Sequence, residues 1–283
     1  MRFAPTHQHL DLLLHKIIGA PAVLVHVAAT EGSVPREAGT WMAVFVDTVV
    51  GTIGGGHLEY EAIARARSQL GRPALASDDA LHRFALGPSL GQCCGGVVQL
   101  RFERLGPMDS TGEAYLQALR KRLGQLTTSL HPVALFGGGH VGQALVRVLS
   151  NLPFALTWID SRDGVFPSEL GPNVHCEHSE PVQSAVASLA PGSLVLIMSF
   201  SHAEDLDVLA ACLLRQRERA DLPYIGLIGS RTKWAVFGHR LKARGFTSAE
   251  LAHVISPIGL PGIAGKEPEV IAVAVAAQLL QVR

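Results

Sequence analysis

The sequence predicts an α/β protein in two parts, an N-terminal mixed α/β domain followed by a C-terminal parallel-sheet domain. Three observations predict it. At 283 residues the chain is long enough for about two domains, each with its own core. From residue 131 onward, short apolar runs alternate with helical patterns in the order VALF, HVGQALVRVL, ALTWID, LVLIMSF and YIGLIG. That alternation indicates a parallel sheet with helices on both faces. Finally, VALFGGGHVGQAL sets Gly137, Gly139 and Gly142 between a strand and a helix, the glycine spacing of a Rossmann-like unit.

The elements follow in order. Residues 9–18 read as an amphipathic helix with Leu10, Leu13, Leu14, Ile17 and Ile18 on one face. AVLVHVAA and WMAVFV read as strands bracketing the loop TEGSVPREAGT, and after GTIGGG a helix runs through HLEYEAIARARSQL. Further strands fall around LHRFAL and VVQLRFERL. The expected division is a first domain over 1–110, a helical connector over 111–130 and the Rossmann-like domain over 131–283. Neither an internal repeat nor a low-complexity tract interrupts this order.

Composition excludes several classes of function. Lys+Arg and Asp+Glu both number 24, so the formal net charge is zero, a poor footprint for nucleic acid. The first 20 residues carry Asp11, His15 and Lys16 within their apolar stretch, unlike a secretory signal. The charge-free segment VIAVAVAAQLLQV is 13 residues long, too short to span a bilayer. The expectation is a soluble, cytoplasmic protein with no membrane partner. Four cysteines are too few for a disulfide scaffold. Cys212, in LAACLL, reads as a small core hydrophobe.

Glycine is the unusual residue. There are 29, concentrated in GTIGGG, LGPSLGQCCGG, GGGHVG, GLIG and GLPGIAG. Such loops let the backbone approach a ligand closely, and five of them suggest a site built largely from main chain. In the second domain, Gly137 makes the tight turn, Gly139 admits a phosphate and Gly142 lets the helix pack on the sheet. Asp160, ending ALTWID 23 residues after Gly137, is placed to bond ribose hydroxyls. The alternative is a Rossmann-like turn kept for packing alone. Ser199, Ser201 and His202 follow LVLIM at a strand's C-terminal end. His202 near Asp205 is either an acid–base pair or a helix start capped by Ser201. HCEH at 175–178 alternates its side chains across a strand, so its four groups cannot converge on one metal ion.

In the first domain, Arg36 is either a phosphate grip or a solvated loop charge. Gly54, Gly55 and Gly56 lead into a helix whose first turn carries His57 and Glu59. An open helix N-terminus is an anion cradle, and Glu59 equally suits the helix dipole. Cys93 and Cys94 stand before Gly95 and Gly96. Bare backbone N–H groups beside a thiol favour its thiolate, the form that binds soft metals. The alternative is a buried pair at a tight turn.

These residues carry a resemblance. GSVPREAGTWMAV, GTIGGGHLEYEAI and LGQCCGGVVQL resemble the N-terminal signature of the XdhC/CoxI family. FGGGHVGQAL, WIDSR with FP, MSFSHAEDLD, YIGLIGSRTK and SPIGLPGIAGKEPEVIAVAVAAQLL resemble its C-terminal Rossmann unit. His57 and the doubled cysteine place the similarity nearest the xanthine dehydrogenase accessory branch, since many carbon monoxide dehydrogenase-associated relatives have cysteine at the His57 position. PIGLPGIAGKEPEV departs from many relatives, which have an acidic residue after the leucine.

The resemblance implies a molybdenum cofactor chaperone, in purine catabolism, rather than an enzyme. It would bind the molybdopterin cargo, support its sulfuration by a cysteine desulfurase and deliver it to the molybdenum subunit of xanthine dehydrogenase. Cys94 is implied as the sulfur that touches the cofactor and its metal, with Cys93 accessory. Gly54, Gly55, Gly56 and Glu59 are implied to shape the neighbouring anion pocket, with Arg36 close by and His57 among the cofactor-binding residues. A homodimer is expected. The rival reading is an NAD(P)-dependent oxidoreductase using Gly137 to Asp160 and His202, and a third is a sulfur relay through Cys93 and Cys94.

Overall fold

The computed structural model describes residues 6–73, 80–86, 95–106, 112–126 and 130–283. The chain divides into two compact units, Met1–Ser129 and Leu130–Arg283. Among the described residues no helix is long and apolar enough to cross a membrane.

The first unit opens with α1 (Thr6–Lys16), then β1 (Ala22–Glu31), β2 (Trp41–Val44) and β3 (Val49–Gly51). Next come α2 (Gly56–Leu70), β4 (Ala80–Ala85), β5 (Val97–Leu105) and α3 (Glu113–Leu126). The strands form one antiparallel sheet in the order β3-β2-β1-β5-β4. Side-chain alternation splits it into two cores. Ala22, Leu24, Trp41 and Ala43 pack with α1 and with Leu119 and Leu123 of α3. Val23, Val25, Val27, Met42 and Val44 pack against Leu58, Ala62 and Ala66 of α2.

Two expectations shift here. Ile18 was placed on the buried face of the first helix, but α1 ends at Lys16 and Ile18 is 53% exposed. Once the chain leaves the 3.6-residue period, its position no longer follows from spacing. The 111–130 segment was expected to connect two domains. Instead α3 supplies two buried leucines to the core of the first unit, each worth roughly 1.5–3 kcal/mol of burial.

The second unit runs β6 (His131–Phe136), α4 (His140–Leu149), β7 (Phe154–Asp160) and β8 (Val174–His178). After a short 3-10 segment at Val182–Ser188 come β9 (Leu194–Ile197), α5 (His202–Arg219), β10 (Tyr224–Leu227) and α6 (Arg231–Ala243). It ends with α7 (Ser248–Leu251), β11 (Val254–Ile255) and α8 (Pro268–Val282). All six strands are parallel in the order β11-β10-β9-β6-β7-β8. This is the doubly wound arrangement, with its switch point between β6 and β9. Both faces are covered, so the strands read as unbroken apolar runs. Val133, Leu135, Leu194 and Leu196 meet α4 and α8. Ala134, Phe136, Val195 and Ile197 meet α5 and α6.

Candidate functional site

In the first unit, three glycine-bearing segments come together. Gly54, Gly55 and Gly56 have φ of 119°, 77° and 70°, a run of left-handed conformations that side chains rarely tolerate. This coil turns the chain from β3 into α2 and folds it over the helix's own first turn. Glu59 closes the coil. Its Oε2 accepts hydrogen bonds from Thr52 Oγ1 at 2.5 Å, Ile53 N at 2.9 Å and Gly55 N at 3.1 Å. Gly54 N donates to Thr52 Oγ1 at 3.1 Å.

The glycine loop was expected to offer its amides to an external anion. Two of them are instead satisfied internally: Gly55 N donates to the Glu59 carboxylate and Gly54 N to the Thr52 hydroxyl. What stays open is the first turn of α2, whose N-cap Gly55 provides no side-chain cap. Its leading N–H groups have no intrahelical partner. His57, on this turn, is exposed, pairs with Glu61 Oε1 at 3.1 Å and stacks against Tyr60.

The loop between β1 and β2 joins the other two segments. A Cβ on Gly54 would come within 2.9 Å of Arg36 Cγ and 3.0 Å of Pro35 Cβ. A Cβ on Gly96 would lie 2.3 Å from Ser33 O and 2.7 Å from Glu31 O. The loop 31–36 therefore packs against Gly54 at one end and Gly96 at the other. Arg36 is exposed, and its guanidinium has no partner among the described residues. A Cβ on Gly95 would meet no atom of the described residues within 4 Å. Cys93 and Cys94 lie outside the described residues, as does the metal contact expected of Cys94.

In the second unit the glycine turn sits as its spacing predicts. A Cβ on Gly137 would strike Met198 O at 2.0 Å, and one on Gly142 would strike Gly137 O at 2.1 Å. Strand, turn and helix are thus in backbone contact, while Gly139 faces open space at the N-cap of α4.

Asp160 is fully engaged within the protein. It accepts from Gly138 N at 2.6 Å, and from Arg162 N, Nε and Nη2, each at 2.9 Å. These bonds take up the carboxylate's four acceptor positions, leaving none for a ribose hydroxyl in this arrangement. Burial alone raises its pKa. The bonds from Arg162 and Gly138 outweigh that and bring the carboxyl below its ordinary value.

His202 does not pair with Asp205. Ser201 caps α5 by accepting from Glu204 N. Asp205, 3% exposed, accepts from Ser199 N at 2.7 Å and Lys233 Nζ at 2.6 Å. His202 is exposed and lies edge-on to Phe237. HCEH occupies β8, where His178 Nε2 approaches Ser161 O. Among the described residues no three His, Cys, Asp or Glu side chains gather to hold a metal ion. Arg162 and Lys233 stand in the segments WIDSR and YIGLIGSRTK, but only the fold shows that they hold Asp160 and Asp205. Arg162 was legible only as the basic residue two after Asp160.

The comparisons with known proteins agree with this architecture. The XdhC Rossmann domain model matches residues 133–279, and the XdhC and CoxI family model matches residues 18–83. The Escherichia coli (strain K12) protein YqeB, itself uncharacterized, is 26% identical over 268 residues, which is 93% of this chain and 44% of YqeB. The chain thus spans less than half the length of that relative. A Bacillus halodurans protein named a xanthine dehydrogenase has a solved structure with a TM-score of 0.73 to this one. It is 22% identical, and the match covers 97% of this chain and 95% of that one. At that identity the likeness establishes a shared fold. With more than half its length matched by the family's Rossmann model, the chain belongs to the XdhC and CoxI family.

Proposed function

We propose that this protein is a xanthine dehydrogenase accessory factor that binds the molybdenum cofactor as cargo, holds it during sulfuration and delivers it to the enzyme's molybdenum subunit. Family membership supports the accessory role. The observation that carries the cofactor reading is the loop 31–36, which packs on Gly96 at one end and presents Arg36, without a partner among the described residues, beside Gly54 at the other.

The cargo is a phosphorylated pterin whose dithiolene holds molybdenum. It calls for a cation or amides for its phosphate and a soft sulfur near its metal. Arg36 and the first-turn amides of α2 from Gly56 and His57 suit the phosphate. Glu59 fixes that turn without competing for its outer face. Cys94, covalently next to Gly95, is the sulfur assigned to the metal, Cys93 is accessory, and the bare backbone of Gly95 and Gly96 lets cargo come close. The partners in this reading are a cysteine desulfurase, the molybdenum subunit and a second copy of the chain, in the cytoplasm.

Anaerobic co-purification tests it, with molybdenum and released pterin measured per chain for wild type, Cys94→Ala, Cys93→Ala and Arg36→Ala. Near-stoichiometric cofactor on wild type, lost in Cys94→Ala and reduced in Arg36→Ala, is expected. Absence of cofactor from wild type expressed alongside cofactor synthesis overturns the proposal.

A further inference from the structure

We propose that the second unit binds an adenine nucleotide bearing a phosphate on its ribose, with Arg162 and Phe200 as the recognition pair. This is independent of the reading of the first unit. Open α/β sheets bind ligands outside the carboxyl ends of their strands, at the switch point, here between β6 and β9. In a dinucleotide site the residue ending the second strand usually offers a carboxylate to the ribose. Here that carboxylate, on Asp160, is buried and filled by Gly138 and Arg162.

What the edge presents instead is the Arg162 guanidinium. Two of its nitrogens are held by Asp160, and Nη1 has no partner among the described residues. The chemistry at the ribose position is therefore inverted from acceptor to donor, which suits a phosphate ester and not a hydroxyl.

Two further observations point to a ligand. Phe200 is 65% exposed on the loop that leaves β9, and the Arg162 guanidinium lies 4.4 Å from its ring centroid. An aromatic ring plus a planar cation is a stacking platform for a flat base. Beside it, Glu204 Oε1 accepts from Ser161 Oγ at 2.7 Å, while Glu204 Oε2 is buried without a partner among the described residues. Ser199 Oγ is likewise buried with no partner among the described residues, and the Ser199 amide lies against Gly137. A buried carboxylate oxygen can only accept, so it marks a place for a donor such as a ribose hydroxyl.

Titration calorimetry of the full chain with NADP+, NAD+ and 2′,5′-ADP tests the proposal. NADP+ and 2′,5′-ADP are expected to bind, with NADP+ at least about tenfold tighter than NAD+ through one charge-assisted contact. Arg162→Gln should bring that ratio close to one. Phe200→Ala, at an exposed position, should weaken both dinucleotides severalfold and keep the ratio. If Arg162→Gln does not fold, the wild-type ratio and Phe200→Ala decide. Wild type that binds none of the three at millimolar concentration, or binds NAD+ as tightly as NADP+, overturns the proposal. So does a Phe200→Ala variant with unchanged affinities.

Discussion

Glu59 Oε2 lies 2.9 Å from the amide nitrogen of Ile53 and 3.1 Å from that of Gly55, so a side chain on the first turn of α2 holds the coil that leads into it. Three successive left-handed glycines have high backbone entropy when unfolded, and one carboxylate offsets part of that cost when they fold. Replacing Glu59 by Ala should cost about 1.5–3 kcal/mol, the range for hydrogen bonds to a charged group. Glu59→Gln should cost less, because its amide oxygen still accepts. Urea denaturation read by fluorescence, beside cofactor retention, checks both.

Gly95 and Gly96 should separate in their effects. Gly96→Ala drives a Cβ into Ser33 O and Glu31 O, both backbone atoms, and should destabilise the first unit by about 1–3 kcal/mol. Gly95→Ala meets no described atom within 4 Å. It should fold like wild type and lose cofactor retention, if cargo approaches the backbone there. Thermal melts with pterin quantitation distinguish the two.

Asp160 gives the second unit an acid sensitivity of known sign. Its folded pKa lies below the ordinary 3.8, so on acidification the unfolded chain takes up the proton first. The contribution is complete above about pH 5, declines as pH falls through the ordinary value, and is gone below the folded one. The stability gap between wild type and Asp160→Asn should therefore be widest near neutrality and narrow as pH falls from about 5 through the ordinary carboxyl value. Denaturant titrations across that window test it.

Lys233 and Asp205 form an ion pair, 12% and 3% exposed, that ties the first turn of α5 to α6. Lys233→Ala leaves a buried carboxylate without its counter-charge and should cost about 3–5 kcal/mol. Adding Asp205→Asn should recover part of the loss. A double-mutant cycle in chemical denaturation provides the reading.

Burial pushes the Cys212 thiol up to about 12, and it raises Cys176 above its ordinary value too. The thiolate is the reactive form, so Cys212 should take up an alkylating reagent at pH 8 only after denaturation. Cys176 should react more slowly than an unperturbed thiol. Mass spectrometry of timed labelling reports each site.

Local pattern carried much of this protein. The alternation of apolar runs and helices from residue 131 foretold the parallel sheet. The spacing of Gly137, Gly139 and Gly142 foretold the strand–turn–helix that the backbone contacts require. Both are near-neighbour properties, settled by sterics and by burial with period two or 3.6. What side chains do at the strand ends is not local. Asp160 read as a ribose ligand because it ends a strand, yet Arg162 and Gly138 claim it. His202 near Asp205 read either as an acid–base pair or as a helix start capped by Ser201; the cap is what forms, and Asp205 turns to Lys233, which is 28 residues away. The loop 31–36 rests on Gly54 and Gly96 only because the sheet and α2 bring distant segments side by side. A carboxylate's partner is chosen by whichever donors the folded chain delivers within about 3 Å, and sequence spacing does not encode that distance.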